Sequence, residues 1–194
     1  MRHNEMRNLE AQLLSEVCKD VTIEPVLLPI NTETFEMRST ITSNEARLDI
    51  SARGVWNPMD KTYFDIRVFH PGADSNKALD KRSVYRKHEN EKKRAYNSRV
   101  LEVGKGTFTP LVFSTSGGMG DEATAFNKRL ALLLSDKKGN TYSDTISFIR
   151  RRLRFCILKT TLVAIRGFRG KKATDPLPID RMDFNLIPHE SPFL

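Results

Sequence analysis

Arg47-Leu48-Asp49-Ile50-Ser51-Ala52-Arg53, a turn at Asn57-Pro58, then Thr62-Tyr63-Phe64-Asp65-Ile66-Arg67-Val68-Phe69 and the charged run Lys87-His88-Glu89-Asn90-Glu91-Lys92-Lys93-Arg94-Ala95-Tyr96 are the stretch whose reading decides the fold. In the first segment Leu48, Ile50 and Ala52 alternate with Asp49 and Ser51. Residues two apart on a strand share a face, so Asp49 is expected on a polar one. In the second, Phe64, Ile66 and Val68 make the apolar face while Tyr63, Asp65 and Arg67 line the other, in a run rich in aromatic and β-branched residues. If the segments pair as a hairpin with Asp49 opposite Asp65, the midpoint falls on Asn57, where the turn residues lie.

Two carboxylates on neighbouring strands repel unless something neutralises them, and a divalent cation is the simplest remedy. Oxygen ligands suit Mg²⁺ or Mn²⁺ rather than zinc, for which the sequence has no Cys/His cluster. The charged run reads as a helix, with Glu89, Lys93 and Tyr96 at i, i+4 and i+7 on one stripe. Lys93 is expected to lean toward the metal, where an ammonium would stabilise charge developing on a phosphoryl oxygen. Taken singly, an aspartate on a strand face or a charged helix run is most often a solvated surface feature.

Asp49, then Asp65 with Arg67 two residues on, inside a strand, turn, strand and helix, resembles the PD-(D/E)XK nuclease core. More closely, the segment resembles the restriction-like endonuclease domain of site-specific non-LTR retrotransposon proteins. In that subgroup a basic residue, Pro and Asp are followed by a second acid and by a lysine displaced onto the next helix, with a tyrosine just after it. Arg47-Leu48-Asp49 matches the first element, with Leu48 where proline is expected; Asp65 matches the second; Lys93 with Tyr96 matches the third, with Lys92 as a close rival. Arg67 stands where the common nuclease pattern has lysine. The opening Arg2-His3-Asn4 is similar to the start of the domain's first helix, and the likeness runs over about residues 2 to 135. The resemblance implies a first-helix acid near the metal, which makes Glu5 an accessory candidate, and a catalytic set of Asp49, Asp65, Lys93 or Lys92, Tyr96 and Glu5. It also implies nicking of target DNA for a partner reverse transcriptase and its RNA. Without the zinc knuckle and reverse transcriptase of that family, the chain is expected to be a fragment or a free-standing relic.

The 194 residues fit one domain with a core, expected over 1–170, with a basic C-terminal helix and an irregular tail at 171–194 whose prolines argue against packing. A net charge of +8 favours an acidic partner, nucleic acid first, with a merely soluble basic surface as the bland alternative. Candidate contacts are Arg47, Arg67, Lys87, Arg94, Arg150, Arg151 and Arg152. Cys18 and Cys156 sit in apolar helical stripes and read as reduced core residues of an intracellular protein. A nuclear-import signal is a rival reading for part of the basic cluster over residues 77–101, and a nuclear setting is expected; no apolar run reaches membrane length, so no membrane partner is.

In chain order, residues 2–18 read as a helix on Met6, Leu9, Leu13 and Val17, with His3 ambiguous between a surface role and a site role. Residues 21–29 read as an edge strand and 31–44 as a polar connection. A helix over 77–101, beginning no later than just after Asp80, leads to a strand at 107–115 that the apolar run places inside the sheet. Ser116-Gly117-Gly118-Met119-Gly120-Asp121 matches no nucleotide fingerprint and reads as a tight turn before a helix. A last helix, capped by Ser143, runs to about Ile165. The fold class expected is α/β, a mixed sheet flanked by helices, and the resemblance implies a restriction-endonuclease-like core. The function expected is metal-dependent DNA cleavage; the alternatives are a catalytically inactive nucleic-acid-binding module descended from a nuclease and a scaffold for an acidic partner.

Overall fold

The computed structural model describes residues 2–27, 46–76 and 79–166. The chain runs through α1 (Arg2–Ser15), β1 (Lys19–Ile23), β2 (Val26–Leu27), β3 (Ala46–Arg47), β4 (Ile50–Arg53), β5 (Lys61–Phe69), a 3-10 turn (Asp74–Asn76), α2 (Lys81–Glu102), β6 (Thr107–Ser114), α3 (Asp121–Lys138) and α4 (Tyr142–Arg166). The expected connection at 31–44, the glycines 167 and 170, the tail and the domain boundary at 170 lie outside the described residues.

The hairpin forms as its spacing requires. Ile50 pairs with Phe64 and Arg53 with Lys61, which centres the connection on Asn57. That connection is closed by Gly54 N–H to Asp60 O (3.1 Å) and Asp60 N–H to Asn57 O (3.2 Å). β1 adds antiparallel to β4, and β6 adds parallel to β5, in the order β1-β4-β5-β6. A parallel neighbour needs a crossover rather than a hairpin, and α2 supplies it. β2 and β3 form a separate two-stranded ribbon.

Among the described residues β6 is outermost in its sheet rather than interior as its apolar sequence suggests. Its apolar run has a different cause. Leu111 and Phe113 pack into the large core with α1, α3 and α4, while Phe108 and Val112 face α2, so the strand is covered on both faces though not on both sides. An outer strand also tolerates Pro110, which has no N–H to give to a further neighbour.

The large core takes Met6, Leu9, Leu13 and Leu14 from α1, Ile50, Phe64 and Ile66 from the sheet, and Phe126, Leu130, Ile149, Leu153 and Ile157 from α3 and α4. α2 closes the opposite face, its Val100 packing with Tyr63 and Phe108 and its Val84 with Phe69 and Val112. The result is an α/β protein with a mixed four-stranded sheet between helical layers. Leu48, expected beside Ile50 and Ala52, instead packs on the α2 side with Leu27. The alternation breaks because Leu48 N–H bonds to Pro25 O (3.2 Å) and Glu24 N–H to Asp49 O (2.9 Å), which turns the chain at Asp49 out of the ladder.

Helix ends follow local chemistry. α1 stops at Ser15, three residues short of the expected 18, and the Ser15 hydroxyl bonds back to Ala11 O at 2.8 Å. Asp80 caps α2 through the N–H groups of Arg82 and Ser83, both at 3.1 Å. Thr141 rather than Ser143 caps α4, its hydroxyl accepting from Asp144 N–H at 3.2 Å. Cys18 and Cys156 are both free and half-buried, and burial pushes the Cys156 thiol up to about 11. Among the described residues no helix is long and apolar enough to cross a membrane.

Where β6 starts beside β5, Gly106 leaves no room for a side chain: an added Cβ would sit 2.3 Å from the Lys61 carbonyl oxygen. Gly106→Ala must move backbone, at a cost of about 1–3 kcal/mol. A thermal melt should show a lower midpoint for this variant, and an unchanged midpoint would contradict the tight approach.

Candidate active site

Asp49 sits at the bend before β4, one residue short of the ladder, with its N–H on Phe64 O (3.0 Å). Its Oδ2 accepts from Ile66 N–H at 2.6 Å and from His3 Nε2 at 2.9 Å. α1 thereby delivers an imidazole onto the carboxylate from the first turn of the chain. The bond from Asp49 raises the His3 pKa above its usual value, against the lowering effect of burial.

Asp65 lies in the middle of β5 on the face covered by α2, and only 6% of it is exposed. Lys92 Nζ lies 2.6 Å from its Oδ2. The ammonium is in ion-pair contact yet off the hydrogen-bonding directions, so Oδ2 accepts no well-aligned hydrogen bond. Burial pushes the Asp65 carboxyl up; Lys92 opposes that, and the charge on Asp49 adds to it. The two aspartates therefore feel each other, as paired carboxylates on adjacent segments should.

Lys92 reaches the site because it lies on the sheet-facing stripe of α2. Val84, His88, Lys92, Tyr96 and Val100 recur every four residues, and Val84, His88 and Val100 are buried. Tyr96 rests on Phe108 (5.7 Å between centroids), and Lys92 Nζ lies 5.6 Å from the Tyr96 ring centre. Lys93 is turned a further 100° about the helix axis and pairs with Glu122 of α3. The stripe read from sequence as Glu89, Lys93 and Tyr96 is thus divided. Lys92 meets Asp65 with Tyr96 one turn further on the same stripe, while Lys93 and Glu89 face α3, where the Glu89 carboxylate accepts Glu122 N–H at 3.0 Å.

The other candidates fall elsewhere. Glu5 is exposed on α1, and its charge acts on Cys156 across the α1–α4 contact. Arg67 shares the face of Asp65 and pairs with Glu91 at 2.8 Å. Arg47 lies exposed, 4.0 Å from Glu24. Lys87 and Arg94 are exposed on α2, and Arg94 Nε donates to Asn90 O at 3.3 Å. Arg150 and Arg151 are exposed on α4 and Arg152 lies over Phe148, so these three belong to the helical layer opposite α2.

Two residues of consequence are hard to read locally. Nothing in the sequence ties His3 to Asp49, 46 positions away. Glu10 is fully buried with neither carboxylate oxygen hydrogen-bonded. Its signal is in the helical spacing: Met6, Glu10, Leu13 and Leu14 fall at i, i+4, i+7 and i+8, which places the acid inside the apolar stripe.

Among the described residues no three His, Cys, Asp or Glu side chains form a metal-binding group by themselves. Mg²⁺ needs less, because it keeps several waters and is commonly held by one or two carboxylates together with substrate phosphate. Asp49 and Asp65 match that donor type, with the Lys92 ammonium 2.6 Å from Asp65 Oδ2 as the positive charge already beside it.

His3 gives a direct check on the geometry. Its folded pKa is raised, so the stability it contributes is full below the unfolded value of 6.5 and is lost as pH rises through the higher folded value. An NMR titration should place the His3 ring midpoint above 6.5, and Asp49→Asn should lower it. A midpoint that ignores Asp49→Asn would break the pair.

Comparison with family models, with curated proteins and with solved structures finds no match to this chain.

Proposed function

We propose that the chain is a metal-dependent endonuclease that hydrolyses phosphodiester bonds of DNA, built on a restriction-endonuclease-like core of the PD-(D/E)XK type. The observation that carries this reading is the Lys92–Asp65 contact of 2.6 Å between a helix and a central strand, with Asp49 at the neighbouring bend near enough for its charge to act on Asp65. The order of elements supports it: a first helix, an antiparallel hairpin bearing the acids, a crossover helix bearing the lysine, and a parallel strand.

Asp49 and Asp65 would hold Mg²⁺ or Mn²⁺, which supplies an acidified water and a polarised phosphoryl oxygen. His3 and Ile66 N–H fix the Asp49 carboxylate in one orientation. The Lys92 side chain reaches Asp65, placed to offset negative charge growing on a phosphoryl oxygen, and the Tyr96 ring lies beside its Nζ. Burial of Asp65 raises the pH at which it ionises, so cation binding and cleavage should both strengthen as pH rises through that range. The net charge of +8 favours a polyanionic substrate. Resemblance extends the reading to target-site nicking for a reverse transcriptase and its RNA in the nucleus.

A second reading keeps nucleic-acid binding without cleavage. Leu48 at the proline position and Arg67, held by Glu91 at the lysine position, favour it. Supercoiled plasmid incubated with Mg²⁺ separates the two: relaxation that EDTA abolishes supports the nuclease, and binding without relaxation in Mg²⁺ or Mn²⁺ supports the module.

A further inference from the structure

α4 carries two apolar stripes, and the core uses one of them. Ile146, Ile149, Leu153 and Ile157 face the large core. Phe148, Phe155, Leu158 and Leu162 recur at i, i+7, i+10 and i+14, which at 100° per residue gathers them on the side turned away from that core. Phe155 is 69% exposed and Leu158 53%. Elsewhere the exposed apolar side chains stand singly, as with Met59 in the hairpin turn and Leu132 on α3, and single ones are ordinary. Four on one line are not, because a helix apolar on opposite sides is ordinarily covered on both.

The outer stripe is set in positive charge. Arg151 falls on it between Phe148 and Phe155, and Arg154 and Lys159 are exposed along its flanks. None of the three makes an ion pair among the described residues, and Asp144 is the one acid in the helix. A second copy of the chain would bring like charges together here. It would also gain little area. From Phe148 to Leu162 the stripe is about 21 Å long on a helix about 10 Å across, a footprint of roughly 200 Å². Stable complexes bury about 800 Å² on each partner, so a separate protein is poorly held by this face alone. Within one chain a contact of that size suffices, because a tethered segment acts at a local concentration on the order of millimolar.

The chain supplies a segment of matching chemistry. Residues 173–194 contain four acids, Asp175, Asp180, Asp183 and Glu190, against one base, Arg181. Within them 179–187 reads Ile-Asp-Arg-Met-Asp-Phe-Asn-Leu-Ile, apolar side chains interleaved with two acids, and Pro178 and Pro188 flank it without interrupting it. Ile179 comes 13 positions after Arg166, up to about 40 Å of chain. α4 from Arg166 back to Phe148 measures about 27 Å, so the segment can reach every residue of the stripe.

We propose that residues 179–187 dock on the outer face of α4, their apolar side chains against Phe155, Leu158 and Leu162 and Asp180 and Asp183 among Arg151, Arg154 and Lys159. The contact depends neither on the carboxylate cluster nor on cleavage.

Photo-cross-linking of the full chain tests it. p-Benzoylphenylalanine takes the place of Phe155, whose exposure leaves room for the larger side chain. Equal amounts of ¹⁵N-labelled and unlabelled protein are mixed before irradiation, and the cross-linked peptides are identified by mass spectrometry. Position 155 should join residues 179–187 of the same molecule, with no pairs of mixed isotope. The same label in place of Met59, 78% exposed, should reach 179–187 at least about tenfold less, because a docked segment is held near one face only. Asp180→Lys/Asp183→Lys should lower the yield from position 155 at least about threefold, as two surface attractions become repulsions. Mixed-isotope pairs would give the face to a second copy, and cross-links confined to other parts of the chain, 28–45 included, would give it to those parts; either result overturns the proposal. So does an absence of cross-links at 155 that repeats with the label in place of Leu162, an equal yield from Met59, or a yield that the charge variant leaves unchanged. Failure of plasmid relaxation bears on none of these results, so the two readings fail separately.

Discussion

Lys92→Ala is expected to reduce Mg²⁺-dependent plasmid nicking by about 10²–10³-fold, the usual effect of removing one group that stabilises transition-state charge. Lys93→Ala should leave the rate within about threefold, since an exposed ion pair contributes little. The two lysines are adjacent in sequence and alike in chemistry, so composition, net charge and helix propensity are matched between the variants. What differs is direction: Lys92 meets Asp65 at 2.6 Å, whereas Lys93 is occupied by Glu122 on α3. Asp65→Ala should abolish nicking while gel-shift binding to DNA persists, because the basic residues of α2 and α4 are untouched. Loss of activity in Lys93→Ala with Lys92→Ala intact would remove the assignment of the lysine. Full activity in Asp65→Ala would remove the site.

The second large effect concerns stability. Glu10 is fully buried without a hydrogen-bond partner, and burial pushes its carboxyl from 4.5 up to about 8. The folded protein resists ionising it. Between 4.5 and 8 the unfolded chain gives up the proton and the folded one keeps it, so stability falls as pH rises across that window and levels off above it. At pH 7 the cost comes to about 3 kcal/mol by the usual 1.36 kcal/mol per unit. Glu10→Leu removes the titrating group and fits a site already surrounded by Met6, Leu13 and Leu14. Its melting midpoint at pH 7 should rise by roughly 6–12 °C, taking about 2–4 °C per kcal/mol for a chain of this size. The difference between wild type and variant should shrink toward pH 4.5. The comparison has to be made as a difference, because His3 also loses stability with rising pH while His88, whose pKa burial lowers, acts the other way. An unchanged or lower midpoint for Glu10→Leu, or a difference independent of pH, would show that Glu10 is not the buried acid described.

Local periodicity carried most of the architecture. The pairing of Arg53 with Lys61 around Asn57 follows from the positions of two alternating segments and one turn. The start of α2 follows from Asp80, whose carboxylate meets the free N–H groups of the first turn. Where the rules of a single element ran out, so did the reading. Leu48 changed faces because hydrogen bonds to Pro25 and from Glu24 to Asp49 bend the chain, and those partners lie some two dozen residues away. The place of β6 at the sheet edge was hidden because coverage by α2 and α3 imitates an interior strand.

By itself the sequence determined that two acids would be brought near one another on adjoining segments and that a lysine-bearing helix would follow, since a strand has a fixed period of two and a hairpin a fixed centre. Only the tertiary structure decided which lysine faces inward and that His3 closes on Asp49. A helix places its side chains 100° apart, but the rotation of the whole helix is set by what it packs against. That depends on residues far away in the chain and is written in no local pattern.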